Sequence, residues 1–224
     1  MMMNLFSSFD PQSLMTIHLN WMISPMCLLM IPNKFWLNSN YKMKTLYMLK
    51  TNIIKEMKPI MMNNLNKGII VIPMSFMFVI LINNVMNLFP YLFSTTAHIS
   101  ITLSITLPIW LTMMMFGWMK KTNFMFTHLV PQNSPPLLIP FMIIIETMSN
   151  LIRPITLSMR LAANITAGHL IITLIENTSS YLNSPFSMMT LLTTLILFSL
   201  ELMVAIIQAY VFSILMILYI KEIN

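Results

Sequence analysis

Long apolar stretches separated by short polar clusters dominate the chain, and their lengths carry the first prediction. Segments at 14–31, 69–89 and 99–119 each approach the ~20 residues that cross a ~30 Å hydrocarbon core at ~1.5 Å per residue. His18, Asn20 and Pro25 interrupt the first, and Pro108 is expected to kink the third. Beyond the Pro131–Pro136 cluster come two longer apolar segments, 137–175 and 186–220. Helices of that length extend ~55–60 Å, so they must tilt steeply or lie partly along the membrane. Asn183–Ser184–Pro185 is a turn sequence, and it predicts an antiparallel hairpin of the two.

Between the first two spans, at 40–62, Leu46, Leu49, Ile53, Met57 and Ile60 recur at helical spacing with Lys44 and Lys55 opposite. That pattern predicts a helix lying in the membrane interface. The expected fold is an all-α polytopic membrane protein forming a single membrane domain. It has about five membrane helices plus one interfacial amphipathic helix, the last two long and tilted as a hairpin.

Composition agrees: 57% of residues are hydrophobic and 8% charged, with mean hydropathy +0.78, which excludes a soluble globular domain. Thirteen prolines, three glycines and the absence of ten-residue alternation favour helices over barrel strands. Cys27 is the sole cysteine, so neither an internal disulfide nor a cysteine-based metal or redox site is expected. The net charge of +6 comes largely from lysines gathered in one loop, which reads as positive charge held on one side of a bilayer and not as a nucleic-acid surface. With Lys120–Lys121 on that same side, five crossings put the N-terminus opposite and the C-terminus with the lysines.

Within this apolar background Arg160 demands an explanation, because arginine cannot shed its charge and intramembrane charges are functional by default. On a helical wheel with Arg160 at the origin, Arg153 falls at ~20°, Glu146 and Asn164 at ~40°, Ala167 at ~−20° and Ala163 at ~−60°. Small residues beside the charge let another helix approach and present a side chain to it. Glu201, Ala205 and Gln208 share a face of the last helix, with Ala209 beside them. An antiparallel register pairing Arg160 with Gln208 also pairs His169 with Glu201, and both centre on the 183–185 turn. Titratable groups then flank a fixed cation: His169 and Glu201 toward the turn, Glu146 toward the other membrane face. Arginine is no proton relay, so its part is electrostatic, stabilising a carboxylate on a partner and barring direct proton passage. Structural readings stand beside this one: Arg160 paired with Glu201 or Glu146, Arg153 snorkelling or paired with Glu146, and Asn83, Asn84 and Asn87 as inter-helix hydrogen-bonding groups. His18, His98 and His128 show no metal-ligand spacing, and no metal or cofactor is expected.

The segments Leu157–Leu170 and Glu201–Phe212, supported by Ile143–Thr147 and Asn84–Pro90, resemble the a subunit of the F-type ATP synthase in its mitochondrially encoded form. The resemblance covers nearly the full length and is strongest from Pro131 onward. It implies a stator subunit packed against a rotating c-subunit ring, with the peripheral stalk and other membrane subunits as further partners. Arg160 would face each ring carboxylate in turn. His169, Glu201, Asn164 and Gln208 would belong to the inlet from the intermembrane space, and Glu146 to the matrix outlet. Protons would be the transported ion, no ATP would be made by this chain, and the inner membrane would hold it with N-terminus toward the intermembrane space and C-terminus toward the matrix. The 27 methionines fit an AT-rich gene read with a code in which ATA specifies Met, and no transit peptide is expected at residues 1–11. Asn87, where the family usually carries glycine, and Glu176–Asn177, where it usually carries a small glycine-bearing loop, depart from the pattern. Two competing classes are a subunit of a redox-driven proton pump, which normally carries mid-membrane lysines absent here, and a scaffold that only anchors other subunits.

Overall fold

The computed structural model describes residues 6, 9–11, 19–29, 41–60, 67–89, 92–130, 135, 137–179 and 184–223. A 3₁₀ turn at Leu19–Met22 leads into α1 (Ile23–Leu28), followed by α2 (Tyr41–Met57) and α3 (Lys67–Asn87). A second 3₁₀ turn, Thr95–Ala97, precedes α4 (Ile99–Lys120), α5 (Thr122–Leu129), α6 (Ile139–Ser179) and α7 (Ser184–Ile223). Among the described residues, four stretches are long and apolar enough to cross a membrane: Ile70–Asn87, Ile99–Lys120, Ile139–Thr178 and Met188–Lys221. The chain is an all-α polytopic membrane protein. The crossing expected at 14–31 falls partly outside the described residues, and the described part holds only the first 3₁₀ turn and α1.

α2 lies within the expected interfacial helix, but only its C-terminal end is anchored. Met57 is buried, with Ile53, Ile54 and Ile60 packed against the core, and Lys44 and Lys55 point outward. Leu49, expected on the inner stripe, is 54% exposed, because α2 meets the core only from Ile53 onward. α5 is an element the sequence did not announce. Lys121 leaves helical geometry at φ −135°, the chain turns, and Trp118 and Phe126 close the corner edge-to-face with centroids 5.0 Å apart.

The two long helices exceed expectation, with 41 residues in α6 and 40 in α7. α6 continues through Glu176–Asn177 to Ser179, so that departure from the family pattern extends the helix without breaking it. α7 supplies the centre of the core: Ala209, Phe212, Met216, Ile217 and Ile220 pack among Met74, Met77 and Ile80 of α3, Ile109 of α4, and Leu157 and Leu161 of α6. Ser158, Ala162, Ala205, Ala209 and Ser213, all buried, keep the helix backbones close. Lipid gives little hydrophobic drive between helices, so this close packing and inter-helix hydrogen bonds hold the bundle.

Hydroxyls inside the spans donate back to their own helix, as in Ser75 to Ile72 O at 2.8 Å, Thr112 to Ile109 O at 2.7 Å and Ser213 to Tyr210 O at 2.7 Å. That hides their polarity from hydrocarbon. The polar groups not handled this way gather at the end of α3 and between α6 and α7. Asn83, Asn84 and Asn87 are buried there, and Asn87 Nδ2 donates to Thr96 Oγ1 of the second 3₁₀ turn at 2.5 Å. Replacing Asn87 by alanine removes the donor from a buried hydroxyl, a loss of about 1–3 kcal/mol. It should appear as a lower melting temperature of the assembled complex, and an unchanged one would mean that this bond does not hold the turn.

Candidate functional site

Arg160 stands near the middle of α6 on an exposed face, with Met159, Ala163 and Ala167 exposed around it. Among the described residues no hydrogen bond or ion pair engages its guanidinium. The other side of α6 carries Leu157, Ser158, Leu161, Ala162 and Ile165 into the interior. The wheel prepared this outcome, since a charge flanked by alanines turns outward when the leucine and isoleucine side is buried.

The facing stripe of α7 is the one its periodicity predicts: Glu201, Ala205, Gln208 and Ala209 are all buried. The partner of Gln208 differs by one helical turn from that expected, whereas that of Glu201 differs by a single residue. Gln208 was matched to Arg160, but Asn164 Nδ2 donates to Gln208 Oε1 at 3.3 Å while Arg160 lies on the exposed face. An amide pair can be satisfied in the narrow α6–α7 interface, whereas the guanidinium is directed away from it. Glu201 was matched to His169, and it arrives against the neighbouring Gly168. A Cβ built on Gly168 would overlap the Glu201 carboxylate oxygen and lie 2.6 Å from its Cδ and 3.1 Å from its Cγ. Glycine here makes room for the acid. Cysteines at 168 and 201 should therefore form a disulfide faster than cysteines at 160 and 201 once Cys27 is replaced. The reverse ranking of crosslinking yields would show that the helices are rotated from this arrangement.

His169 is half-buried and lies against the backbone of Asn87, and its Nε2 has no protein partner among the described residues. Both Glu201 carboxylate oxygens and Gln208 Nε2 share that condition, as do Asn83 Oδ1, Asn84 Oδ1 and Thr95 Oγ1. Buried polar atoms are nearly always paired with protein or water, so a cluster of such atoms where α3, the second 3₁₀ turn, α6 and α7 pack marks a site suited to water. The asparagines were visible in the sequence as three amides closing an apolar span. Thr95 and Thr96 carried no signal, since nothing local separates them from the hydroxyls that bond to their own helix.

Seen down α6, the polar residues step around its circumference. With Arg160 at the origin His169 lies at ~180°, Gly168 with its Glu201 at ~80°, and Asn164 with its Gln208 at ~40°. Along the axis His169 is about 14 Å from Arg160 in one direction and Glu146 about 21 Å in the other. Glu146 is half-buried. Near it, the Arg153 guanidinium sits over the Tyr219 ring, 5.2 Å from the centroid, beside a cavity of about 50 Å³ that Asn150 also lines. Asn150 and Tyr219 were not singled out in the sequence, because a lone amide and a lone tyrosine in apolar helices have many structural uses. His18 lies outside the described residues.

The family model for the ATP synthase A chain matches residues 13–221. Among curated relatives, ATP synthase subunit a of Locusta migratoria is 46% identical over 224 residues, covering 100% of both chains. Those of Drosophila melanogaster and Aedes aegypti are 46% and 43% identical, again over 100% of both chains. On these matches and on its helical membrane architecture, the chain belongs to the ATP synthase subunit a family, a component of the membrane sector of that complex.

Proposed function

We propose that this chain is the proton-translocating stator subunit of the mitochondrial ATP synthase, forming two offset half-channels against a ring of c subunits. One observation carries the reading: a permanent cation at mid-helix faces outward from its own chain on a surface of small residues, while acid/base groups step around the same helix toward it. A charge in that position needs a partner from outside the chain, and a ring carboxylate passing close to Ala163 and Ala167 meets the requirement.

Protons enter from the intermembrane space among the unpaired polar atoms at the end of α3. His169 and Glu201 exchange them near the surface of α6, and the Asn164–Gln208 pair lines the last step before Arg160. Arg160 holds the facing ring carboxylate deprotonated and blocks a direct path between the two sides. After rotation the carboxylate releases its proton on the Glu146 side, toward the matrix. The chain has no catalytic site of its own and couples proton flow to rotation. The peripheral stalk and other membrane subunits hold it static. The N-terminus faces the intermembrane space, and the lysine-rich α2 and the C-terminus face the matrix. The test is ATP-driven proton pumping by assembled complexes carrying Arg160→Ala in sealed vesicles, where a wild-type rate would refute the scheme.

A further inference from the structure

Phe9, Pro11 and His98 have no part in the path described above, yet they converge on one of its residues. Asn20 Nδ2 donates to the Pro11 carbonyl at 3.3 Å, and His98 Nε2 lies 3.1 Å from the Phe9 carbonyl. A carbonyl only accepts, so His98 Nε2 carries the proton of that bond. The His98 ring rests on Trp21 and Phe93, with centroids 5.2 and 5.3 Å away, and those two rings meet each other at 5.6 Å. Residues 9–11 are thereby tied at one end to Asn20 of the first 3₁₀ turn and at the other to His98, the N-cap of α4, which stacks with Trp21 and Phe93. What they present is the Phe9 ring, edge-to-face on the imidazole of His169 with centroids 6.3 Å apart and planes at 87°. That geometry is the favourable one for an aromatic pair.

We propose that residues 9–11 form a clamp that positions His169, with His98 and Asn20 holding the backbone and the Phe9 ring fixing the imidazole so that Nε2 stays turned to the unpaired polar cluster. Phe9 and His98 are positioning residues that touch no reacting atom, and the inference rests on the reading of His169 as an inlet group. An imidazole meets its surroundings through two distinct nitrogens, so a ring free to flip spends part of its time with the wrong one presented. A backbone hydrogen bond with Asn87 already engages the ring, and the clamp removes the freedom that remains.

The test uses the assembled complex in sealed vesicles, with turnover measured against proton concentration on the inlet side. Phe9→Ala should raise the half-saturating proton concentration about two- to tenfold, the range an edge-to-face pair is worth, and leave the maximal rate nearly unchanged. Phe9→Tyr should restore the wild-type value and Phe9→Leu should not. In a His169→Ala background, Phe9→Ala should add nothing, because the two residues act as a unit. A wild-type proton dependence in Phe9→Ala overturns the clamp, and so does a parallel loss of assembled complex and maximal rate. Normal proton transport by His169→Ala alone would instead show that the inlet reading itself is mistaken.

Discussion

Complexes carrying Arg160→Ala are expected to assemble normally and to lose ATP-driven proton pumping by about two to three orders of magnitude. Normal assembly follows from exposure: the side chain lies outside the packed interior, and the helix beneath it is held by Leu157, Ser158, Leu161 and Ala162 on its other face. The loss follows from Coulomb's law. A guanidinium about 4 Å from a carboxylate, at an effective dielectric constant of about 20, favours the ionised acid by about 4 kcal/mol, or about three pKa units. On the proposed scheme, without that charge a ring carboxylate entering the interface would stay protonated and give up its proton about a thousandfold less readily. On the same proposed scheme passive leak should change as well, since the charge separating the two half-channels has gone. Arg160→Lys keeps a positive charge but not the planar fork, so it should fall between alanine and wild type. Vesicles from the alanine variant that pump at the normal rate would leave the scaffold reading standing.

Gly168→Ala should lower proton transport by about one to two orders of magnitude, although the change adds only a methyl group. The new Cβ would occupy the place of the Glu201 carboxylate, which must swing aside. A displacement of about 1 Å at a reacting group can cost about a hundredfold in rate. The helix itself should be slightly firmer, by about 0.5–1 kcal/mol, because alanine is the better helix former. Assembly and transport are thus expected to move in opposite directions, a combination that simple misfolding does not produce. Wild-type pumping by this variant would mean that the carboxylate beside Gly168 takes no part in the path.

Much of the site was legible because helical periodicity is a local property. The stripe of Glu201, Ala205 and Gln208 in α7 and the alanines flanking Arg160 on α6 could be assigned to faces from spacing alone, and those faces are the ones found. The pairing between the stripes was less accessible. The Asn183–Ser184–Pro185 sequence predicts an approximate midpoint for the hairpin, but Ser184 and Pro185 already belong to α7, and side-chain reach and helix rotation shift the partner of Gln208 by a turn, from Arg160 to Asn164. Leu49 shows the same limit, since its place on the stripe of α2 was clear and the point where α2 leaves the core was not.

The sequence by itself determined the solvent, the helical class and which residues share a face of each long helix. Each of these depends on composition or on spacing along one element. Only the tertiary structure decided that Glu201 lodges against Gly168, that Asn164 and not Arg160 meets Gln208, and that Phe9 reaches His169 from 160 residues away along the chain. Such contacts join elements whose mutual rotation and approach are set by how their small and large side chains interlock, and no periodicity within a single helix records that.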